Sequence, residues 1–320
     1  MNDLLKKKTM SRDTRQNIII IAVYAAFFIV FSIISPYFAK PDNIITILVS
    51  ATTLGLIGLA EGTCLLTGSF DMSVGQVATL AGIIWTALIA KAGWPVYVSF
   101  AIALLFGVIS GIIAGIAVGY LQMPAWISTY ALMQIWKGVG LLITDGEAIR
   151  MTKYKAFKWI GQAKLFGTGL TPMVLIMIAI YIIWYVLLKY TKLGRNLYVI
   201  GGNEEAARNV GVNVEMGRVF AYTVSGIFAA LAGCLFASRS GSGQPVVGNL
   251  WAMQAISGTV IGGTAMTGGK MNVAMTFIGC VLVVTLQNGF NMAGLNTYYQ
   301  YITTGVILVL AIFAQTERRK

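Results

Sequence analysis

Between Lys91 and Lys137 the sequence carries no charged residue, and within that stretch residues 95–120 run PVYVSFAIALLFGVISGIIAGIAVGY. About 20 such residues are enough to cross the hydrocarbon core of a bilayer as a helix, and runs of this kind recur along the chain. Soluble domains average about 45–50% apolar and about 25% charged residues. These 320 residues are 57% hydrophobic and 11% charged, with a mean hydropathy of +0.78. The sequence therefore describes a polytopic membrane protein. Lipid offers the backbone no hydrogen bonds, so its spans are helices and the fold class is all-α.

Ten candidate spans lie near 17–35, 44–66, 73–91, 95–120, 124–143, 171–190, 219–238, 251–267, 273–290 and 297–315, the eighth being the weakest. The first follows a basic stretch, as a signal peptide would. It is too long for an h-region and lacks a small-residue cleavage site, so it reads as an uncleaved span. Residues 1–16 then form an N-terminal tail, 17–316 the transmembrane domain, and 317–320 a C-terminal tail. With both tails inside, the inner segments hold 14 of the 23 Lys and Arg, in the direction expected of cytoplasmic loops. One loop resists: 144–170 falls outside yet carries Arg150, Lys153, Lys155, Lys158 and Lys164. Either the topology differs, or this surface serves an acidic partner outside.

Several functions are excluded by residue type. The net charge of +12 is dispersed over separate loops and tails, which suits membrane topology rather than nucleic acid. There is no histidine, and Cys64, Cys234 and Cys280 stand alone in apolar segments, so neither a metal site nor a disulfide framework is expected. VIGGTAMTGGKM (260–271) imitates a phosphate loop but has Thr264 where the first glycine belongs and Met271 after Lys270. It reads as a glycine-rich helix break.

Three motifs carry more information. Gly107, Gly111, Gly115 and Gly119 repeat every fourth residue and give one face of the fourth span a groove for close helix packing. LTGSFDMSVGQV (66–77) places Asp71 and Ser73 between two glycines and two apolar runs, so one of them caps the third span or meets substrate. An Asp near the bilayer centre costs about 2.5–3.5 kcal/mol on insertion scales. Glu61 carries the same cost, with no partner visible in the sequence. GGNEEAARNVGV (201–212) reads as a two-turn helix. Asn203 is the N-cap, Glu204 and Glu205 complement its dipole, Arg208 follows, and Gly211 ends it. Ala206, Ala207 and Val210 form its small apolar face. A helix so short needs something to pack against; otherwise it is an ordinary surface helix between spans.

With these residues in view, the chain resembles the permease subunits of ribose-type ABC importers. GRNLYVIGGNEEAARNVGVNV is similar to their cytoplasmic coupling segment, and GSFDMSVG to a signature usually written GIDLSVG. AISGTVIGGTAMTGG resembles a second glycine-rich signature, and MPAWISTYALMQIWKGVGLLIT the fifth span, with a basic residue near Lys137. The resemblance implies a type II importer permease of about ten helices in a bacterial inner membrane, not an enzyme and binding no cofactor itself. Its implied partners are a second permease subunit (a copy or a different chain), a cytoplasmic ATPase that uses ATP, an extracytoplasmic sugar-binding protein, and lipid. Residues 203–210, within the segment 191–218, become the coupling helix. Asp71, Ser73, Trp126, Tyr130 and Lys137 become candidates for the substrate pathway, and Arg150, Lys153, Lys155 and Lys158 for docking the binding protein. Phe70, Met72, Trp126 and Tyr130 depart from the usual pattern there, and Trp126, Tyr130 or Trp251 could stack on a sugar ring. The rival readings are an ion-coupled secondary transporter using Glu61 or Asp71, and an intramembrane enzyme, for which no catalytic set is visible.

Overall fold

A computed structural model describes residues 12–296 and 298–316; the remaining parts of the two tails, 1–11 and 317–320, lie outside the described residues. The chain begins with α1 (Arg12–Ile34), α2 (Pro41–Leu66), α3 (Val74–Ala90), α4 (Val96–Gly119) and α5 (Ala125–Thr144). A two-residue strand β1 (Ile149–Arg150) and α6 (Lys155–Gln162) lead into α7 (Pro172–Tyr190), α8 (Lys192–Gly202) and α9 (Glu204–Asn209). Then come α10 (Val214–Ser240), β2 (Ser242–Gly243), α11 (Trp251–Ile261), α12 (Val273–Met292) and α13 (Tyr298–Thr316). Proline sets four starts. Pro41 and Pro172 open α2 and α7, while Pro95 and Pro124 are the N-caps of α4 and α5. At these positions the missing N–H has no intrahelical acceptor to lose and the fixed φ already suits the helix.

Six helices among the described residues are long and apolar enough to cross a membrane: α1 over Asn17–Ile34, α2, α4, α7, α10 and α12. α3 is apolar but only 17 residues long. α5 has 20 residues, with Gln134 and Lys137 interrupting its apolar run. The expected eighth span, 251–267, is not a single helix. It is the 11-residue α11, ended at Gly262 and followed by a loop with positive φ at Gly263, Gly268 and Gly269. At 1.5 Å per residue, α11 reaches roughly halfway across a hydrocarbon core of about 30 Å.

α10 is the axis of the bundle, packing on α4, α2 and α3 along its length and on α6 near its end. The four regularly spaced glycines make its contact with α4. A methyl group at Gly111 would fall 2.3 Å from the Tyr222 carbonyl oxygen, and one at Gly107 2.5 Å from that of Gly226. Gly115 meets the backbone of Val219, and Gly119 that of Glu215. The two helices thus touch backbone to backbone over three turns, which any side chain on that stripe would prevent.

The ends of the helices form two polar faces. One carries α8, α9 and the loop between α11 and α12, with the α2–α3 break buried beneath them. The other carries the antiparallel pair β1–β2 and α6. α6 is seated firmly: Ser238 Oγ donates to the Phe157 carbonyl (2.6 Å) and accepts from Gly161 N–H (2.9 Å). The basic stretch 149–164 is therefore a folded cap over the end of α10 rather than an open loop.

Candidate functional site: a surface helix joined to a buried break

α8 and α9 meet at Asn203, whose extended backbone turns the corner while its Oδ1 accepts from Ala206 N–H at 2.9 Å. Gly211 follows with φ +79°, and its N–H closes on the Arg208 carbonyl. Six residues cannot hold a helix alone, so neighbours fix α9. Ala207 is fully buried among Ile200, Val212 and Val214. Glu204 bonds both Arg208 (3.0 Å) and Arg218 (2.6 Å), and Arg208 also reaches Glu215. Partial burial disfavours the charge on Glu204, but the two guanidinium groups outweigh it and hold its carboxyl below the usual range.

Two expectations change here. The face Ala206–Ala207–Val210 is not a single surface, because Ala207 turns into the bundle while Ala206 is exposed and Val210 is 73% exposed. Glu204 and Arg208 are spent on fastening α9 to the start of α10. Glu205, Ala206, Asn209 and Val210 remain outward.

Behind α8 lies a three-way backbone junction. Gly201 sits so close to the end of α2 that a methyl group would fall 1.8 Å from the Leu66 carbonyl oxygen and 2.5 Å from Gly269 N. That same carbonyl accepts from Gly269 N–H at 3.0 Å. Gly268, at φ +90°, approaches both Gly201 and Gly68. The α8–α9 segment thus bears on the α2–α3 break and the α11–α12 loop with nothing between their backbones.

The break contains the two acids. Asp71 Oδ1 accepts from the backbone N–H and hydroxyl of Ser73 (2.9 and 2.5 Å), and Oδ2 accepts from Ser225 Oγ on α10 (3.3 Å). The expected helix cap is modified. Ser73 is the N-cap of α3 but makes no capping bond through its side chain; Asp71 instead satisfies the Ser73 amide from two residues back. Glu61 has a partner the sequence did not reveal, since both its oxygens accept from Asp71 N–H at 3.1 and 3.3 Å. Tyr222 OH donates to the Phe70 carbonyl and Met72 N–H to Thr129 Oγ1, so α10 and α5 clasp the break from two sides.

Asp71 and Ser73 are 2% and 1% exposed, and the structure brings them together with Glu61 and Ser225 inside the bundle. It does not bring them to Trp126 and Tyr130, which are exposed on α5. Their spacing puts Lys137, half-buried, on the same side of α5. Trp251 packs edge-on against Phe236. Phe70 and Met72 lie half-buried against Leu65, Ile256 and Val260. On the opposite polar face Arg150, Lys153 and Lys155 are exposed, and Lys158 donates to the Thr152 carbonyl. Ser225, Thr129 and Tyr222 were not anticipated. Their only sequence signal is a polar group within an apolar helix.

No group of three His, Cys, Asp or Glu residues suited to a metal exists among the described residues. What the arrangement defines is a membrane-embedded apolar helical bundle whose interior break is tied to a surface helix. The chain belongs to the family described as branched-chain amino acid transport system / permease component, which it matches over residues 43–312. It is a transport component, not an enzyme. Among relatives, it is 33% identical to the ribose import permease protein RbsC of Bacillus subtilis, covering 91% of this chain and 89% of that one. It is 32% identical to RbsC of Escherichia coli K12 (90% of each chain). With the L-arabinose transport system permease protein AraH of E. coli K12 the identity is 33%, over 94% of this chain and 90% of that one.

Proposed function

We propose that this chain is the membrane subunit of an ABC importer for a monosaccharide of the pentose class. The observation that carries the reading is the end-to-end similarity to permeases named for ribose and for arabinose. The family description names branched-chain amino acids, but these relatives align over nearly their whole length and are named for sugars. In this reading the face bearing α8 and α9 is cytoplasmic, with both termini on that side. α3, α5, α11 and α13 complete about ten membrane-inserted helices. A separate ATPase hydrolyses ATP and seats on the outward residues Glu205, Ala206, Asn209 and Val210. An extracytoplasmic binding protein docks on Arg150, Lys153, Lys155 and Lys158. A second permease subunit covers the exposed side of α5, where Trp126, Tyr130 and Lys137 would face the shared pathway. Asp71 and Ser73 shape that pathway from behind by holding the break.

Ion coupling through Glu61 or Asp71 gains nothing from the structure, where both carboxyls are engaged inside the bundle. The decisive test is reconstitution in proteoliposomes with and without a partner ATPase and sugar-binding protein, measuring uptake of labelled ribose, arabinose and leucine. ATP-dependent pentose uptake is expected. Import of leucine instead, or sugar uptake by this chain alone, overturns the proposal.

A further inference from the structure

A cavity of about 1210 Å³ opens beside the coupling segment, between α1, α7, α8 and the start of α12. It is larger than the usual small-molecule pocket of about 300–1,000 Å³, and it does not include the α2–α3 break or α5. Its inner wall is apolar, with Met177, Ile178, Ile182 and Phe277. Its mouth carries three exposed cations, Lys189, Arg195 and Lys270, from three separate segments, and among the described residues no acidic one lines it. The first turn of α12, at Val273 and Ala274, also lines it, so the positive end of that helix dipole adds to the field. Lys189 lies over the rings of Tyr185 and Tyr190, 5.2 and 5.3 Å from their centroids. Such a pairing of aromatics with a snorkelling lysine marks the level of lipid headgroups.

We propose that this cavity binds an anionic phospholipid, its phosphate held by Lys189, Arg195 and Lys270 and an acyl chain lying along Met177, Ile182 and Phe277. The charge and the shape require both halves of such a molecule. A free sugar or phosphate would leave the long apolar wall uncovered, and a zwitterionic lipid would bring no net negative charge to the three cations. Basic pockets between helices at the cytoplasmic surface take acidic headgroups for this reason. The site uses the orientation proposed above but neither the substrate nor the ATPase assignment.

Native mass spectrometry of the purified full chain, titrated with phosphatidylglycerol or phosphatidylcholine, reads the site directly. Phosphatidylglycerol is expected to bind in preference, and the triple variant Lys189→Gln, Arg195→Gln, Lys270→Gln to weaken it by roughly a hundredfold, about fivefold per charge. The variant Arg150→Gln, Lys153→Gln, Lys155→Gln, on the opposite face, should bind as the parent does. Ala274→Trp, which obstructs part of the cavity with the cations intact, should also weaken lipid binding. Equal binding of the two lipids, or an unchanged triple variant, overturns the proposal. Displacement by glycerol 3-phosphate as effective as by whole lipid also overturns it, because the site would then recognise only a phosphate.

Discussion

Asp71 illustrates how a single side chain is committed by its neighbours. Its carboxyl receives three donors from Ser73 and Ser225, and its own N–H is taken by Glu61. Leucine would fit a bundle of this hydropathy but would orphan those donors, at about 1–3 kcal/mol each. Asp71→Leu should therefore lower both the monodisperse yield and the Tm, with Asp71→Asn nearer the parent because the amide oxygen still accepts. Equal yield and Tm for the two variants would show that the break does not depend on this bonding. The importance of Asp71 is legible in the sequence, because a charge flanked by glycines in an apolar run is costly unless satisfied. Its partner Ser225 is not, since it lies 154 residues away in a span whose serine looks incidental. Nor can Ala206 be told from Ala207 by type. Only the tertiary contact with Ile200 and Val214 decides which alanine is inside.

Among the elements, α9 offers a sharp contrast. Ala207→Glu would place a charge where there is no room or solvent, so it should detach α9 and damage folding of the segment, seen as faster proteolysis near 203–212. Val210→Glu changes only an exposed position. It should leave the bundle's Tm unchanged while reducing co-purification of the ATPase; normal co-purification would remove Val210 from the docking surface. Acid should loosen α9 as well. Glu204 has a folded pKa below its ordinary value, so its ion pairs contribute fully above that value and are lost as pH falls through the folded one. Amide exchange of Ala206 to Arg208 should thus be insensitive to pH near neutrality, after correction for intrinsic rates, and rise only in acid. For α4, adding a methyl at Gly111 meets backbone, not a yielding side chain, so Gly111→Ala should cost at least the about 1–3 kcal/mol typical of overpacking, and Gly111→Leu should prevent assembly. The glycine stripe could be read in advance because its period is local. The end of α11 is half legible: the glycine-rich stretch 260–271 reads as a helix break, but the span expected over 251–267 runs past the Gly262 at which the helix stops.

At the scale of the whole molecule, the two polar faces should answer separately to membrane-impermeant reagents. The three native cysteines are fully buried, which makes the parent chain a silent background for labelling. A cysteine at Lys155 should react only from outside the cell and one at Glu205 only after the membrane is opened; reaction of both from the same side would refute the topology. Between those faces, α10 runs from the Asn213 cap beside α9 to Gly241 beside β2, so both surfaces are mounted on one continuous helix. The junction of Gly201 with Leu66 and Gly268 has a consequence for how such a sequence can diverge. Three segments far apart in the gene share one point at which no side chain fits. A mutation at Gly201 cannot be absorbed locally; it must wait for matching changes around 66–68 and 268–269. Across natural variants these stretches should behave as a single linked locus, drifting together or not at all.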